Sequence, residues 1–79
     1  MKVKSLRALR KAVRLAGTQT ELASRITKHL KRPVNQAHVW SWLNRDKRAP
    51  GWAVVAIEVA TARQVTRHEL RADIFPREA

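Results

Sequence analysis

The chain has 79 residues, enough for one small domain with one modest core. It contains no cysteine, which excludes disulfides and thiolate metal sites and agrees with a reducing cytoplasm. Its net charge of +11 indicates a polyanionic partner, with nucleic acid favoured over an anionic membrane surface.

All of the excess charge lies in the first 48 residues. They contain 13 Lys and Arg against two acids, a net of +11, whereas residues 49–79 contain four against four, a net of zero. The longest apolar run, residues 52–57, is far shorter than the roughly 20 residues that span a bilayer. The pattern favours a front half that binds a polyanion, with no membrane partner.

Apolar residues recur at helical spacing through the first 30 residues. They predict a first helix over residues 6–16, with Ser5 as its N-cap and Gly17 ending it in the left-handed conformation. A second helix follows Thr18, which opens the capping-box sequence Thr-Gln-Thr-Glu, and ends near residue 30 ahead of a proline.

A third helix follows Asn35, a residue favoured at helix N-caps. Val34 and Val39 occupy the positions of a hydrophobic staple around this cap. The helix continues through Leu43 and gives way to a polar, charged loop over residues 44–48.

A fourth helix opens at Pro50, a favoured first helical residue, and runs to about Thr61. Val54 and Ile57 lie off its predicted inner stripe and exceed what one core-facing side needs, so they suggest a dimer surface. The predicted inner stripe consists of Trp52, Val55, Ala56 and Val59.

A short fifth helix follows Thr66, which heads a second capping box flanked by a Val65–Leu70 staple. The tail over residues 74–76 is expected to fold back on the core. The sequence therefore predicts an all-α fold, a compact bundle of about five helices forming a single domain over residues 1–79.

The outward face of the third helix carries no charge, which is unusual for a solvated face in so basic a chain. Such a face suits a helix that enters the major groove, where amides and hydroxyls read base edges. It consists of Gln36, Ala37, Trp40, Ser41 and Asn44. Cations flank the helix on both sides and are candidates for phosphate contacts: Lys28, Lys31, Arg32, Arg45, Lys47 and Arg48.

The order of the elements over about residues 18–44 follows the logic of a helix-turn-helix. The N-terminal amides of the second helix can face a phosphate, and Gln19 in its first turn can do so with its side chain.

Residues 19–23 (QTELA) and 34–44 (VNQAHVWSWLN) resemble the helix-turn-helix of phage Cro-like repressors. The continuation over residues 48–50, 56–61 and 65–75 resembles the YdaS-type group of prophage Cro-like regulators, often described as antitoxins. The resemblance covers nearly the whole chain and implies a lambda-repressor-like fold.

By matching position, the resemblance places base contacts on Asn35, Gln36, Ala37, Trp40 and Ser41. It makes Gln19 a phosphate contact and lets Asn44 reach the DNA backbone.

The sequence departs from the family in two places. Residues 27–32 lengthen the connection between the second and third helices by about six residues without a glycine, so the angle between these helices can differ. Ala72 stands where the family often has proline.

Several conspicuous residues also have structural interpretations. Trp42 is predicted in the core, Trp52 in the core or a dimer contact, and Trp40 is left open between a DNA contact and a cover over the second helix. His38 is favoured as a structural histidine over a DNA contact, whereas His29 and His68 are predicted at the surface. The histidines lack metal-ligand spacing, and we expect no metal, cofactor or enzymatic activity.

The sequence is compatible with three functions. The first is a cytoplasmic, nucleoid-associated Cro-like repressor that binds a pseudo-palindromic operator as a homodimer formed through the fourth helix and the C-terminal segment. The second is an antitoxin-like module that binds a toxin protein through its neutral C-terminal half, including Phe75, and autoregulates its operon. The third is a sequence-blind chromatin or RNA binder, which the uncharged face disfavours.

Overall fold

The computed structural model describes residues 2–76 of the chain, and the side chains of residues 4–76. This part of the chain forms five α-helices and no strand, which confirms the predicted all-α bundle. A π-helical turn, Trp42–Asp46, directly continues the third helix. The helices are α1 (Lys2–Ala16), α2 (Gln19–Leu30), α3 (Gln36–Ser41), α4 (Gly51–Ala60) and α5 (Arg67–Leu70).

The first helix is longer than predicted. It begins at Lys2 rather than Leu6, so the assignment of Ser5 as its N-cap was wrong. No glycine or proline precedes Leu6, and nothing local stops the helix there. Gly17 ends α1 as predicted: its φ is 109°, and its N–H donates to the carbonyl of Val13 at 2.8 Å.

The second helix forms half of its predicted capping box. The Thr18 hydroxyl accepts a hydrogen bond from the Glu21 backbone N–H at 3.0 Å. The Glu21 carboxylate instead accepts from Nε of Arg25 at 3.1 Å, one helical turn further on. The helix ends at Leu30, as predicted, and Lys31 follows in the left-handed conformation with a φ of 56°.

A single threonine fixes the long connection between α2 and α3. The Thr27 hydroxyl donates to the carbonyl of Val34 at 2.8 Å and accepts from the Val34 N–H at 2.9 Å. Lys31 takes the left-handed position that a glycine would adopt more readily. The start of α3 is therefore tied to the last turns of α2 although the turn contains no glycine.

The packing of α4 differs from its prediction. The helix begins one residue later than expected, with Pro50 as its N-cap. Val54 and Ile57 are fully buried, whereas Trp52 and Val59 are 42% and 47% exposed. The predicted inner stripe was therefore wrong at Trp52 and Val59, although its Ala56 is fully buried, and the assignment of Val54 and Ile57 to a spare surface was wrong. Because α4 is apolar nearly all round, its periodicity does not select one face, and packing against both α2 and α5 decides.

The fifth helix is capped by the Thr66 hydroxyl, which accepts from the Glu69 backbone N–H at 3.2 Å. Val65 and Leu70, the predicted staple residues, are both fully buried. Phe75 packs against the core, as predicted for the tail. These contacts close the bundle on the side of α1.

The tail is also tied down through backbone contacts. Nδ1 of His68 lies 2.8 Å from the carbonyl oxygen of Phe75, and His68 is half-buried, so it is less exposed than predicted. The Ile74 side chain approaches Gly51 but stays 47% exposed. His29 is exposed, as predicted. None of the described helices has both the length and the apolar character required to cross a membrane.

Candidate nucleic-acid interface

The start of α3 is fixed by a reciprocal capping box. Oδ1 of Asn35 accepts from the backbone N–H of His38 at 3.3 Å, and the Asn35 N–H donates to Nδ1 of His38 at 3.1 Å. His38 is therefore structural, as favoured, although its role in the box was missed. The signal was the three-residue spacing, with histidine in place of the usual glutamate or glutamine. The cap occupies Oδ1 of Asn35, so its amide N–H₂ remains for a ligand.

The outward face of α3 is uncharged and accessible, as the sequence predicts. Trp40 is 51% exposed, so about half of its surface is accessible to a ligand. The opposite side of the helix enters the core through Val39, and Trp42 follows it there. Four of the five predicted base-contact residues are exposed: Asn35, Gln36, Ala37 and Trp40. The fifth, Ser41, is half-buried.

Two predicted contact residues meet at this face. Nε2 of Gln36 donates to Oε1 of Gln19 at 2.7 Å, which joins the first turn of α3 to the first turn of α2. A primary amide has two N–H donors and one carbonyl acceptor. This bond therefore leaves Gln36 its Oε1 and one N–H, and leaves Gln19 both of its N–H donors.

A cleft of about 300 Å³ lies beside this amide pair and contains a cation that the sequence analysis missed. Arg10 projects from α1 into the same cleft as Gln19 and Asn44. In the sequence, Arg10 is one of several cations on the exposed side of α1, and no spacing distinguishes it. The amide of Asn44 donates to the carbonyl of Trp40 at 3.0 Å, so one of its two N–H donors is already bonded.

The predicted phosphate-contact cations are all exposed: Lys28, Lys31, Arg32, Arg45, Lys47 and Arg48. Nε of Arg45 lies 3.6 Å from its neighbour Asp46. The guanidinium of Arg32 lies over the indole ring of Trp52. The structure therefore leaves all six cations at the surface.

The neutral C-terminal segment contacts the basic loop after α3. Arg71 donates to both carboxylate oxygens of Asp73, at 2.9 and 2.7 Å, and its Nη1 donates to the carbonyl of Ala49 at 3.1 Å. These bonds from Arg71 lower the pKa of Asp73 to about 2. Nη1 of Arg48 lies 3.7 Å from the same carboxylate, so Arg48 shares Asp73 with a closer partner. No spacing in the sequence indicated this contact.

The fold and this surface define a small all-helical protein that presents one uncharged, amide-bearing helix face among exposed cations. A family model described as bacterial toxin YdaS matches residues 9–79. The chain therefore belongs to the YdaS family, which confirms the YdaS-type resemblance. No curated protein and no solved structure matches the chain significantly.

Proposed function

We propose that the chain is a Cro-like transcriptional regulator that binds duplex DNA sequence-specifically, with α2 and α3 acting as a helix-turn-helix. One observation carries this proposal: the exposed face of α3 is uncharged, and the Gln36 amide on it is oriented by Gln19. An uncharged polar helix face surrounded by exposed cations matches what the major groove requires, because base edges are read by amides while cations bind phosphates.

The hydrogen-bonding groups of the amide pair match this role. The free Oε1 of Gln36 can accept from N6 of an adenine, and its second N–H can donate to N7 of the same base. The two N–H groups of Gln19 can donate to a phosphate, and Arg10 in the adjacent cleft supplies a positive charge. One amide pair would thus couple a base contact to a backbone contact.

Selection of bound duplexes from a random pool, at about 0.15 M salt, tests this proposal. We expect a consensus sequence and a ratio of specific to nonspecific affinity of at least about 10³. A ratio near one would show a sequence-blind binder instead, and the absence of duplex binding would exclude the proposed function.

We also propose that the protein acts as a homodimer, which would place two copies of α3 in major grooves about 34 Å apart. Since Val54 and Ile57 are buried, the exposed apolar side chains of α4 and the C-terminal segment that can form this contact are those of Trp52, Val59 and Ile74. Sedimentation with and without the selected duplex tests it. A monomer under both conditions would rule it out.

The second candidate is a toxin–antitoxin module whose main partner is a protein. The description of the family as a bacterial toxin and the neutral C-terminal half favour it. Phe75 packs on the core, so a partner would meet the exposed Ile74 rather than the Phe75 ring. A stoichiometric complex with the product of a neighbouring reading frame would support this function, and failure to form one would count against it.

A further inference from the structure

Arg32 is held differently from the other arginines around α3. Its guanidinium carbon lies 4.2 Å from the centroid of the Trp52 ring. Arg45 and Arg48 each approach a carboxylate, whereas no hydrogen bond or ion pair between described residues involves Arg32. A contact with an aromatic face uses the positive charge of the guanidinium and leaves its N–H donors available.

The ring beneath Arg32 is itself anchored. The rings of Trp52 and Trp42 meet edge to face, with centroids 5.7 Å apart and an interplanar angle of 77°. Trp42 is buried and directly follows α3, so the Trp52 ring is fixed against the continuation of this helix. Trp52 is 42% exposed, which leaves room for a charged group over its outer face.

We propose that Trp52 is a positioning residue that holds the Arg32 guanidinium for a backbone phosphate of the bound duplex. The inference rests on the proposed DNA binding and adds a residue to it. An arginine already restrained on a ring loses less side-chain entropy on binding than a freely rotating one. Its planar set of donors also matches two phosphate oxygens, which a lysine does not. In this proposal Trp52 contributes to DNA affinity by positioning Arg32, without contacting the DNA itself.

The dependence of duplex affinity on salt concentration tests the inference, because its slope reports the number of phosphates contacted. Arg32→Ala should reduce the slope by about 0.9, the value of one phosphate contact. Trp52→Leu, which removes the aromatic face, should reduce it to a similar extent, and Trp52→Phe should restore most of it. Combining Arg32→Ala with Trp52→Leu should give no further reduction.

Two results would overturn the inference while leaving the proposed function intact. In the first, Arg32→Ala lowers the slope and Trp52→Leu does not. In the second, neither variant changes the slope although the wild-type protein binds the duplex. Absence of duplex binding by the wild-type protein is a different outcome, since it removes the proposed function itself.

If Trp52→Leu fails to fold, a measurement on the wild-type protein still shows whether Trp52 holds the Arg32 side chain. In solution NMR, the side-chain protons of Arg32 should be shifted upfield by the indole ring, both free and bound to the duplex. The shift should disappear in Trp52→Leu if that variant folds. Random-coil shifts for these protons in the wild-type complex would show that Trp52 does not hold Arg32 there.

Discussion

Nε2 of Gln36 donates a 2.7 Å hydrogen bond to Oε1 of Gln19, across 17 residues of sequence. The bond connects the first residues of two helices, so the orientation of α3 relative to α2 and the orientation of the Gln36 amide are set together. The residue proposed to read a base is thereby supported by the residue proposed to bind a phosphate.

Removing either amide should affect DNA binding in a different way. Gln36→Ala should relax sequence preference and cost roughly 1–3 kcal/mol on the selected duplex, because the base contact is lost. Gln19→Ala should lower affinity for all duplexes and also weaken sequence preference, because Gln36 loses its support. Competition titrations with selected and random duplexes measure both effects. An equal loss on every sequence in Gln36→Ala would make Gln36 a backbone contact instead.

Arg48 and Asp73 form an ion pair, and removing the charge of one partner should change DNA affinity in the opposite direction from removing the charge of the other. Arg48→Ala should weaken binding to all duplexes and reduce the salt slope by about one. Asp73→Asn should strengthen binding to all duplexes, because it removes a negative charge beside a proposed phosphate contact. Titrations over a range of salt concentrations test both variants. An unchanged slope in Arg48→Ala would remove this residue from the phosphate contacts.

Thr27 should control how firmly α3 is attached to α2. Thr27→Val keeps the shape of the side chain but removes both hydrogen bonds to the buried Val34. We expect a loss of about 1–3 kcal/mol in unfolding free energy, together with weaker duplex binding. Urea denaturation measures the first effect. Thr20→Val, at an exposed site in α2, is the control and should change stability by less than about 0.5 kcal/mol.

The buried Glu58 should make folding sensitive to acid. Its Oε2 accepts from Nη2 of the Arg67 side chain at 3.1 Å, and its Oε1 accepts from the backbone N–H of Arg67 at 2.7 Å. These bonds hold the pKa of Glu58 below its ordinary value of 4.5 in the folded state. The associated stability is therefore fully present above about pH 4.5 and is lost as the pH falls toward the folded-state pKa.

Glu58→Gln should lower the unfolding free energy at neutral pH by about 1–3 kcal/mol and flatten its decline in acid. Urea denaturation between pH 7 and about pH 2.5 measures both changes, with the pH range chosen to span the titration of carboxyl groups. Glu21→Gln is the matched control, because Glu21 and Arg25 form an exposed pair with little expected effect. Equal acid sensitivity of Glu58→Gln and wild type would contradict the assignment.

Glycine should be more favourable than the native alanine at position 62. Its φ of 52° lies in the left-handed region, which costs a residue with a Cβ about 1–2 kcal/mol. Because glycine costs about 0.5–1 kcal/mol in backbone entropy, Ala62→Gly should stabilise the fold by up to about 1.5 kcal/mol. Ala37→Gly, at an exposed helical site, should destabilise it by about 0.5–1 kcal/mol. Similar urea midpoints for the two variants would refute this account.

Predictions that depended on neighbouring residues were mostly confirmed. The caps at Thr18, Asn35 and Thr66 and the end of α2 at Leu30 follow from hydrogen bonds and steric limits within four residues. The N-cap prediction at Ser5 also used only neighbouring residues, and it was wrong. A serine can lie inside a helix as well as at its start, so its presence alone does not mark where the helix begins.

Predictions about helix faces succeeded only where polar and apolar residues were separated. In α3, Val39 is buried on one side and Gln36 is exposed on the other, and the orientation of this helix was predicted correctly. In α4 both sides are apolar, and the burial of Val54 and Ile57 could not be distinguished from that of Trp52 and Val59. Only the packing of α4 between α2 and α5 resolves this ambiguity.

The helical elements, most of their ends and the concentration of positive charge in the first 48 residues could all be predicted before the fold was known. These properties depend on composition and on contacts between residues a few positions apart, which spacing expresses directly. Only the packing of the helices brings Gln19 to Gln36, places Arg10 in the cleft beside Gln19, and lets Arg71 reach Ala49. Those partners are distant in sequence, and they meet because whole helices pack in one arrangement that no local pattern encodes.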